Sequence, residues 1–385
     1  MLPFISQSRE ESLTVFETLN SKGVGLSHLD ILKSVLFEAV KEDDDEWVKI
    51  SNAWKGFLAV YEPTKIVPNK FLRYTVVTQF GENRPAMKCL SWIKDNPELT
   101  RVASDPLFMI DRLRSSAVAI REMQQGHGPD WSKSQRPNMY IQNMIVLAPS
   151  SEQQYFLLIP VWNAAKELFD ATAAVAESVV FLNRILSHYT GTTEKNFIEW
   201  GRELGRRSSS TSYALEFLDT DVWPKIRAER SRVESMLLTI TWKNTNHGLI
   251  GWILKRCEIQ AAYLNHEDTS MGVDAYGEVD VEHIEPQHGS ELNETIVHSL
   301  GNLTLQEKGF NRANGRKSFE VKLASYGKSK FRITNALAGI PSTGGSSKKA
   351  LDLFYSATDW GGIEIRERGN KLVGTLLSVL GFQKN

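Results

Sequence analysis

The sequence predicts a mainly α-helical protein carrying a small α+β element towards its C-terminal end. Three observations predict it. Apolar residues recur at helical spacing in most segments between Leu29 and Leu264. At Glu278–Ile284 the pattern changes to apolar–polar alternation, the period of a strand. Charge is also segregated in that region. Asp274–Glu294 holds seven acidic residues and no Lys or Arg, whereas Gly301–Arg332 holds eight basic residues against Glu307 and Glu320.

The whole-chain figures set wide bounds. With 385 residues, 41% apolar and 24% charged, the chain has room for two or three domains of ordinary globular composition. A net charge of −1 points to no class of partner, because the charges are unevenly distributed. Cys89 and Cys257 are far apart and form no CxxC pair. That argues against a zinc ribbon or a disulfide framework and suits a reducing cytoplasm. Met1–Glu11 lacks the basic and apolar regions of a signal peptide. No uncharged apolar run reaches the roughly 18 residues of a membrane span. The expectation is a cytoplasmic protein with no membrane partner.

In chain order, Gly23 and Gly25 interrupt a helical pattern, and Ser27 with Asp30 reads as a helix start with a capping box. Leu29, Leu32, Leu36 and Val40 continue that helix. The acidic run Glu42–Glu46 reads as a solvated helix end. Ser104-Asp105-Pro106 opens a helix whose stripe is Leu107, Ile110, Leu113 and Val118. Gln125–Pro137, rich in Gly, Pro and Ser, is expected to be a loop or lid. Ser151-x-x-Gln154 is a capping box opening a helix through about Phe169. A second helix is expected from about Ala171 to Tyr189, ended by Gly191, and a third over His247–Leu264 with Trp252, Cys257 and Ala261 in the core. Arg202, Arg206, Arg207, Arg227, Arg230 and Arg232 form a loose basic group that could face phosphates or solvent.

The chemistry-bearing stretch is Asp280–Asn311. Alternation places Asp280 and Glu282 on one strand face and Val279, Val281 and His283 on the other, with Pro286 ending the strand. A polar loop leads to a second short strand, Asn302-Leu303-Thr304-Leu305. A helical pattern follows, with Phe310, Phe319 and Leu323 as apolar positions. An acidic patch can hold a hard cation by oxygen ligands, and an adjacent basic element can hold a polyanion. Taken singly, the Glu282-His283 pair is more usually a surface feature, and Asn302–Leu305 reads as an ordinary strand. The constellation carries the signal. His288 and His298 lack a flanking acidic strand and read as loop residues.

The string Glu282-His283-Ile284-Glu285-Pro286-Gln287, then Gly301-Asn302-Leu303-Thr304-Leu305, Asn311 and Ser318-Phe319-x-x-Lys322, resembles the HNH (His-Me finger) endonucleases. The nuclease half of GmrSD-type restriction enzymes shares the fuller pattern. Phe16-Glu17-x-Leu19-Asn20, with Gly23, Leu26 and Asp30, resembles the segment that closes the ParB-like NTPase domain of the same family. The family's D-G-Q-Q-R nucleotide motif is missing from the chain, so no nucleotide cofactor is assigned.

The resemblance implies a helical body followed by a C-terminal ββα-Me finger. The expected divisions are residues 1–40 as the NTPase-type remnant, 41–265 as the helical region and 266–385 as the nuclease domain with closing helices near Asp352–Phe354 and Ile363–Leu380. Gly339–Ser347 is the expected connection. His283 would be the general base, and Glu282 with Asn311 would hold one Mg²⁺ or Mn²⁺ ion. Asp280 would be an alternative or outer ligand, and Asn302 would join His283 as a catalytic residue by fixing the finger and orienting the histidine. Arg312, Arg316, Lys317 and Lys322 would meet DNA phosphates. The implied function is cleavage of modified phage or foreign DNA, with a separate NTPase subunit as a candidate partner. Two other readings are a catalytically inactive DNA-binding or regulatory subunit and a nucleotide-hydrolysing switch.

Overall fold

The computed structural model describes residues 27–40, 43–129, 137–187, 190–264, 266–339 and 359–383. The Phe16–Leu26 part of the upstream motif, most of the expected lid, the connection after Gly339 and Asp352–Phe354 lie outside these residues. The described residues are mainly helical, with one two-stranded sheet. None of their helices is long and apolar enough to cross a membrane. Contacts cluster into two compact units, Met1–Arg121 and Glu122–Asn385.

In the first unit, α1 (His28–Glu38) starts with the expected capping box. Ser27 Oγ accepts from the Asp30 amide at 3.2 Å, and the Asp30 carboxylate accepts from the Ser27 amide at 3.0 Å. Helix α2 (Asp44–Tyr61) gathers Asp44, Asp45 and Glu46 in its first turn, where the helix dipole favours negative charge. Helices α3 (Pro68–Phe80) and α4 (Cys89–Asp95) follow. An aromatic core of Trp54, Phe57, Tyr61 and Phe71 joins α2 to α3. Helix α5 (Pro106–Gln124) begins at the proline read from sequence, where the missing N–H costs nothing.

The second unit opens with α6 (Met139–Leu147), capped by the Asn138 side chain. The helix at Gln154 is shorter than its capping box suggested. It runs only Gln154–Leu158, because Pro160 removes a donor and converts the next turn to Ile159–Val161 in 3₁₀ form. Helix α7 (Lys166–Leu186) then starts earlier than expected. It ends at Ser187, which adopts the left-handed conformation (φ 52°), so Gly191 falls in the first turn of α8 (Thr190–Arg207) and terminates nothing. Helix α9 (His247–Leu264) has the expected bounds, and Trp252, Cys257 and Ala261 are buried. Most of the loose arginine group is paired locally: Arg206 and Arg207 with Glu203, Arg230 with Glu234, Arg232 with Glu229.

A buried ion pair holds the helices together. Arg256 Nε of α9 lies 2.9 Å from Glu177 Oε1 of α7, and Asn143 of α6 donates to the same oxygen at 2.6 Å. Asn143 also accepts from Trp252 Nε1 and from the Val273 amide. Burial raises the Glu177 carboxyl, against the opposing pull of Arg256. Three helices and the Gly272–Tyr276 turn therefore meet at one asparagine.

The alternating stretch forms β1 (Asp280–His283), antiparallel to β2 (Leu303–Gln306), in the register Asp280↔Gln306 to His283↔Leu303. Next come α10 (Lys308–Asn314), α11 (Phe319–Tyr326), α12 (Arg332–Asn335) and α13 (Gly362–Val379). A small core of Ile284, Phe319, Tyr326 and Leu337, flanked by Leu323 and Trp360, closes one side of the sheet. Glu258 of α9 accepts from the Arg332 and Ile333 amides at 3.0 and 2.9 Å and from the Arg332 guanidinium at 2.9 Å. This fixes α9 against the start of α12.

Helix α13 grips the turn that precedes β2. Arg368 is fully buried and donates through Nη1 to Gly301 O (2.8 Å) and Leu303 O (2.7 Å). The approach is so close that a Cβ on Gly301 would stand 1.9 Å from Ile365 O and 2.9 Å from Gly369 N. Only glycine fits there.

Candidate functional site

The site is assembled on β1, the loop after it and the first turns of α10. Asp280 is half-buried at the start of β1, and Asn311 projects from α10 to donate to its Oδ2 at 3.0 Å. This pair lies on the wall of a cleft of ≈ 890 Å³ that also touches Trp242, His247, Lys255 and Lys308. Lys308 pairs with Glu278 at 2.7 Å, and Lys255 Nζ donates to Gly277 O at 2.6 Å. The cleft therefore presents a carboxylate and an amide among cations.

Glu282 takes a different direction. Its carboxylate lies 2.7 Å from Lys322 Nζ, with both side chains buried, and Tyr326 Oη reaches it at 3.5 Å. Lys322 Nζ also donates to His283 O (2.8 Å) and Ile284 O (3.1 Å). Burial raises the Glu282 carboxyl, and the Lys322 ammonium opposes the rise. Two sequence expectations meet a physical obstacle here. Glu282 is paired with Lys322 while Asn311 is paired with Asp280, so the expected Glu282–Asn311 pair is not brought together. Lys322, expected at DNA phosphates, is fully buried with its ammonium engaged by three oxygens. Arg312, Arg316 and Lys317 are exposed, as phosphate contacts need to be.

His283 is 5% exposed and ends β1. The Gln287 amide nitrogen lies 2.9 Å from its Nδ1, and His298 Nδ1 lies 3.2 Å from its Nε2. The Trp242 ring meets it edge-on with centroids 5.5 Å apart, and Trp242 is itself stacked on His247 at 3.6 Å. Trp242 lines the cleft, and His283 is not among the residues that line it. Burial, with the neighbouring His298, Lys322 and His247, depresses the His283 imidazole to about 3. It is therefore a neutral ring throughout the physiological range.

Asn302 is fully buried and works as a clasp. Its Oδ1 accepts from the Glu285 amide (2.8 Å) and Trp360 Nε1 (3.0 Å). Its Nδ2 donates to Glu285 O (3.0 Å) and Val297 O (2.7 Å). These bonds fix the loop just after His283 and touch no imidazole atom, so Asn302 shapes the loop and the expected direct orientation of the histidine is not seen.

Spacing gave no hint of Trp242, His247 or His298, which come from outside the strand pair or from its loop. His298 had been read as a loop residue. It caps the short helix Glu294–Val297 and turns its ring onto His283. The one available signal was its place three residues before the Gly301-Asn302 turn, which pairs with the end of β1.

Among the described residues, no three His, Cys, Asp or Glu side chains gather as a metal-binding group. Asp280 offers a carboxylate and Asn311 a side-chain amide, donor types that suit a Mg²⁺-like ion, which is held by one or two carboxylates and keeps several waters.

No curated protein matches the chain. Residues 228–375 match the family described as GmrSD restriction endonucleases, C-terminal domain. The match covers α9, the whole strand–loop–strand–helix unit and most of α13. Over residues 228–375 the chain is thus similar to the C-terminal domain of GmrSD restriction endonucleases.

Proposed function

We propose that this protein is a metal-dependent DNA endonuclease of the HNH type that restricts modified phage or foreign DNA. The observation that carries the reading is the meeting of Asp280 and Asn311 on the cleft wall, on the strand that ends in the buried neutral His283. In the family's architecture that unit would be the ββα-metal finger. His283 would take a proton from a water molecule as the water oxygen bonds to phosphorus. The bond from phosphorus to the 3′ oxygen would break, and that oxygen would collect a proton from solvent. Asp280 and Asn311 would hold a divalent ion, which when bound would neutralise charge on the phosphate and the leaving oxygen. Glu282 is not given this role, because its carboxylate is committed to Lys322. Arg312, Arg316 and Lys317 would steer and hold the backbone.

A second reading also rests on an observation. Both nitrogens of His283 have partners and its ring is buried against Trp242, as a DNA-binding subunit with an idle finger would also tolerate. Plasmid assays with unmodified and modified DNA, in Mg²⁺ or Mn²⁺, with and without nucleotide, separate the two. The nuclease reading expects nicking that His283→Ala abolishes while DNA binding persists. Binding without cutting under every condition would leave the idle-finger reading standing.

A further inference from the structure

His283 is held by two partners of opposite character. His298 is 4% exposed, and its ring stands at 87° to that of His283, with centroids 5.2 Å apart. Its backbone is fixed from two directions: its amide donates to Glu294 O at 3.0 Å and its carbonyl accepts from the Trp242 amide at 2.7 Å. Gln287, on the other side, is an exposed residue of the loop after β1. One nitrogen of His283 is thus anchored in the interior, and the other is covered by a side chain that reaches solvent.

The donor inventory assigns the roles. An amide N–H can only donate, and a neutral imidazole has one donor and one acceptor nitrogen. With the Gln287 amide oriented as it stands, Nδ1 of His283 accepts. Nε2 then carries the proton and donates to Nδ1 of His298. Burial, with Lys243 nearby, lowers the His298 pKa, which favours the neutral ring that can accept at Nδ1.

We infer that His298 is the positioning residue for His283: it accepts the Nε2 proton and so fixes the tautomer whose Nδ1 lone pair faces solvent, where the Gln287 amide stands in the place of the attacking water. The inference rests on the reading of His283 as the base. Once Nδ1 has taken a proton, the Nε2–H···Nδ1 bond to His298 also steadies the imidazolium, as a fixed acceptor does for a catalytic histidine in other hydrolases.

The test uses the full chain labelled with ¹⁵N at histidine. Long-range ¹H–¹⁵N spectra, with the His283 signals identified by their loss in His283→Asn, are expected to show the Nε2–H tautomer. His298→Leu is expected to mix the tautomers and to lower kcat for plasmid nicking about 100-fold at unchanged KM. His298→Asn, whose side-chain oxygen can stand near the lost Nδ1, is expected to restore the tautomer and at least about a tenth of the parent rate. It also carries the test should the leucine variant fail to fold. A parent spectrum showing Nδ1–H at His283 overturns the inference, as does a His298→Leu variant with unchanged tautomer and kcat. Should the parent cut no DNA, the nuclease reading fails, while the spectra still decide the pairing.

Discussion

Asn311 donates its side-chain amide to the carboxylate of Asp280, so the first helix after the sheet is tied to the first residue of the sheet. If these two side chains hold the metal, Asp280→Asn and Asn311→Ala each lower nicking at least about 100-fold, the loss typical of removing a group that stabilises transition-state charge. Calorimetric titration with Mn²⁺ should show weakened binding in both variants. Retention of the metal by Asp280→Asn and its loss in Glu282→Gln would return the ligand role to Glu282.

Glu282 and Lys322 should register in stability. Lys322→Met leaves a carboxylate buried without its cation, a defect that costs about 3 kcal/mol. Urea denaturation measures it directly. The salt dependence of DNA binding, read below the melting temperature of the variant, should stay that of the parent, because the ammonium does not reach solvent.

Acid should weaken the fold through His283. Its folded value of about 3 lies below the value near 6.5 of an unfolded histidine, so the unfolded chain binds the proton more readily. The contribution is complete above about pH 6.5 and is lost as pH falls towards 3, at up to about 1.4 kcal/mol per pH unit. The raised carboxyls of Glu177, Glu258 and Glu282 act in the opposite sense. Subtracting a His283→Gln curve isolates the histidine. Urea midpoints from pH 8 to 4.5 should fall more in the parent than in the variant, and parallel curves would remove this role.

The exposed cations make a separate prediction. Replacing Arg312, Arg316 and Lys317 together with alanine should weaken DNA binding uniformly across sequences and flatten the log K against log salt slope by about 3. Fluorescence anisotropy at several salt concentrations reads both. An unchanged slope would move the DNA elsewhere on the surface.

Gly301→Ala should destabilise the fold by about 3 kcal/mol, since the new methyl collides with the Ile365 carbonyl. Gly309→Ala is the matched control. It lies within α10 with nothing within 4 Å of a new Cβ, and should be neutral or stabilising by up to about 1 kcal/mol. Chemical denaturation of the two variants compares them.

The strand pair was legible because alternation and Pro286 are local signals, and so were the caps at Ser27 and Pro106. Helix ends were less so. Pro160 stops one helix and Ser187 another, yet a serine in left-handed backbone leaves no mark on composition. In the site, the sequence singled out His283, Asn302, Asp280 and Asn311 as candidates through the family resemblance, but not their pairing. A strand period says that Asp280 and Glu282 share a face; it does not say which of them meets α10 and which meets α11. The His283–His298 contact depends on a loop returning fifteen residues later, a closure that no local pattern encodes.

The hold of Arg368 on Gly301 and Leu303 has a consequence for biogenesis. The carbonyls it clasps belong to the turn and strand that complete the sheet, yet the clasp arrives more than sixty residues later in the chain. A nascent chain that has already emerged through α12 still lacks the piece that locks β2. Translation order thus leaves these two carbonyls without their Arg368 partner until α13 has been made.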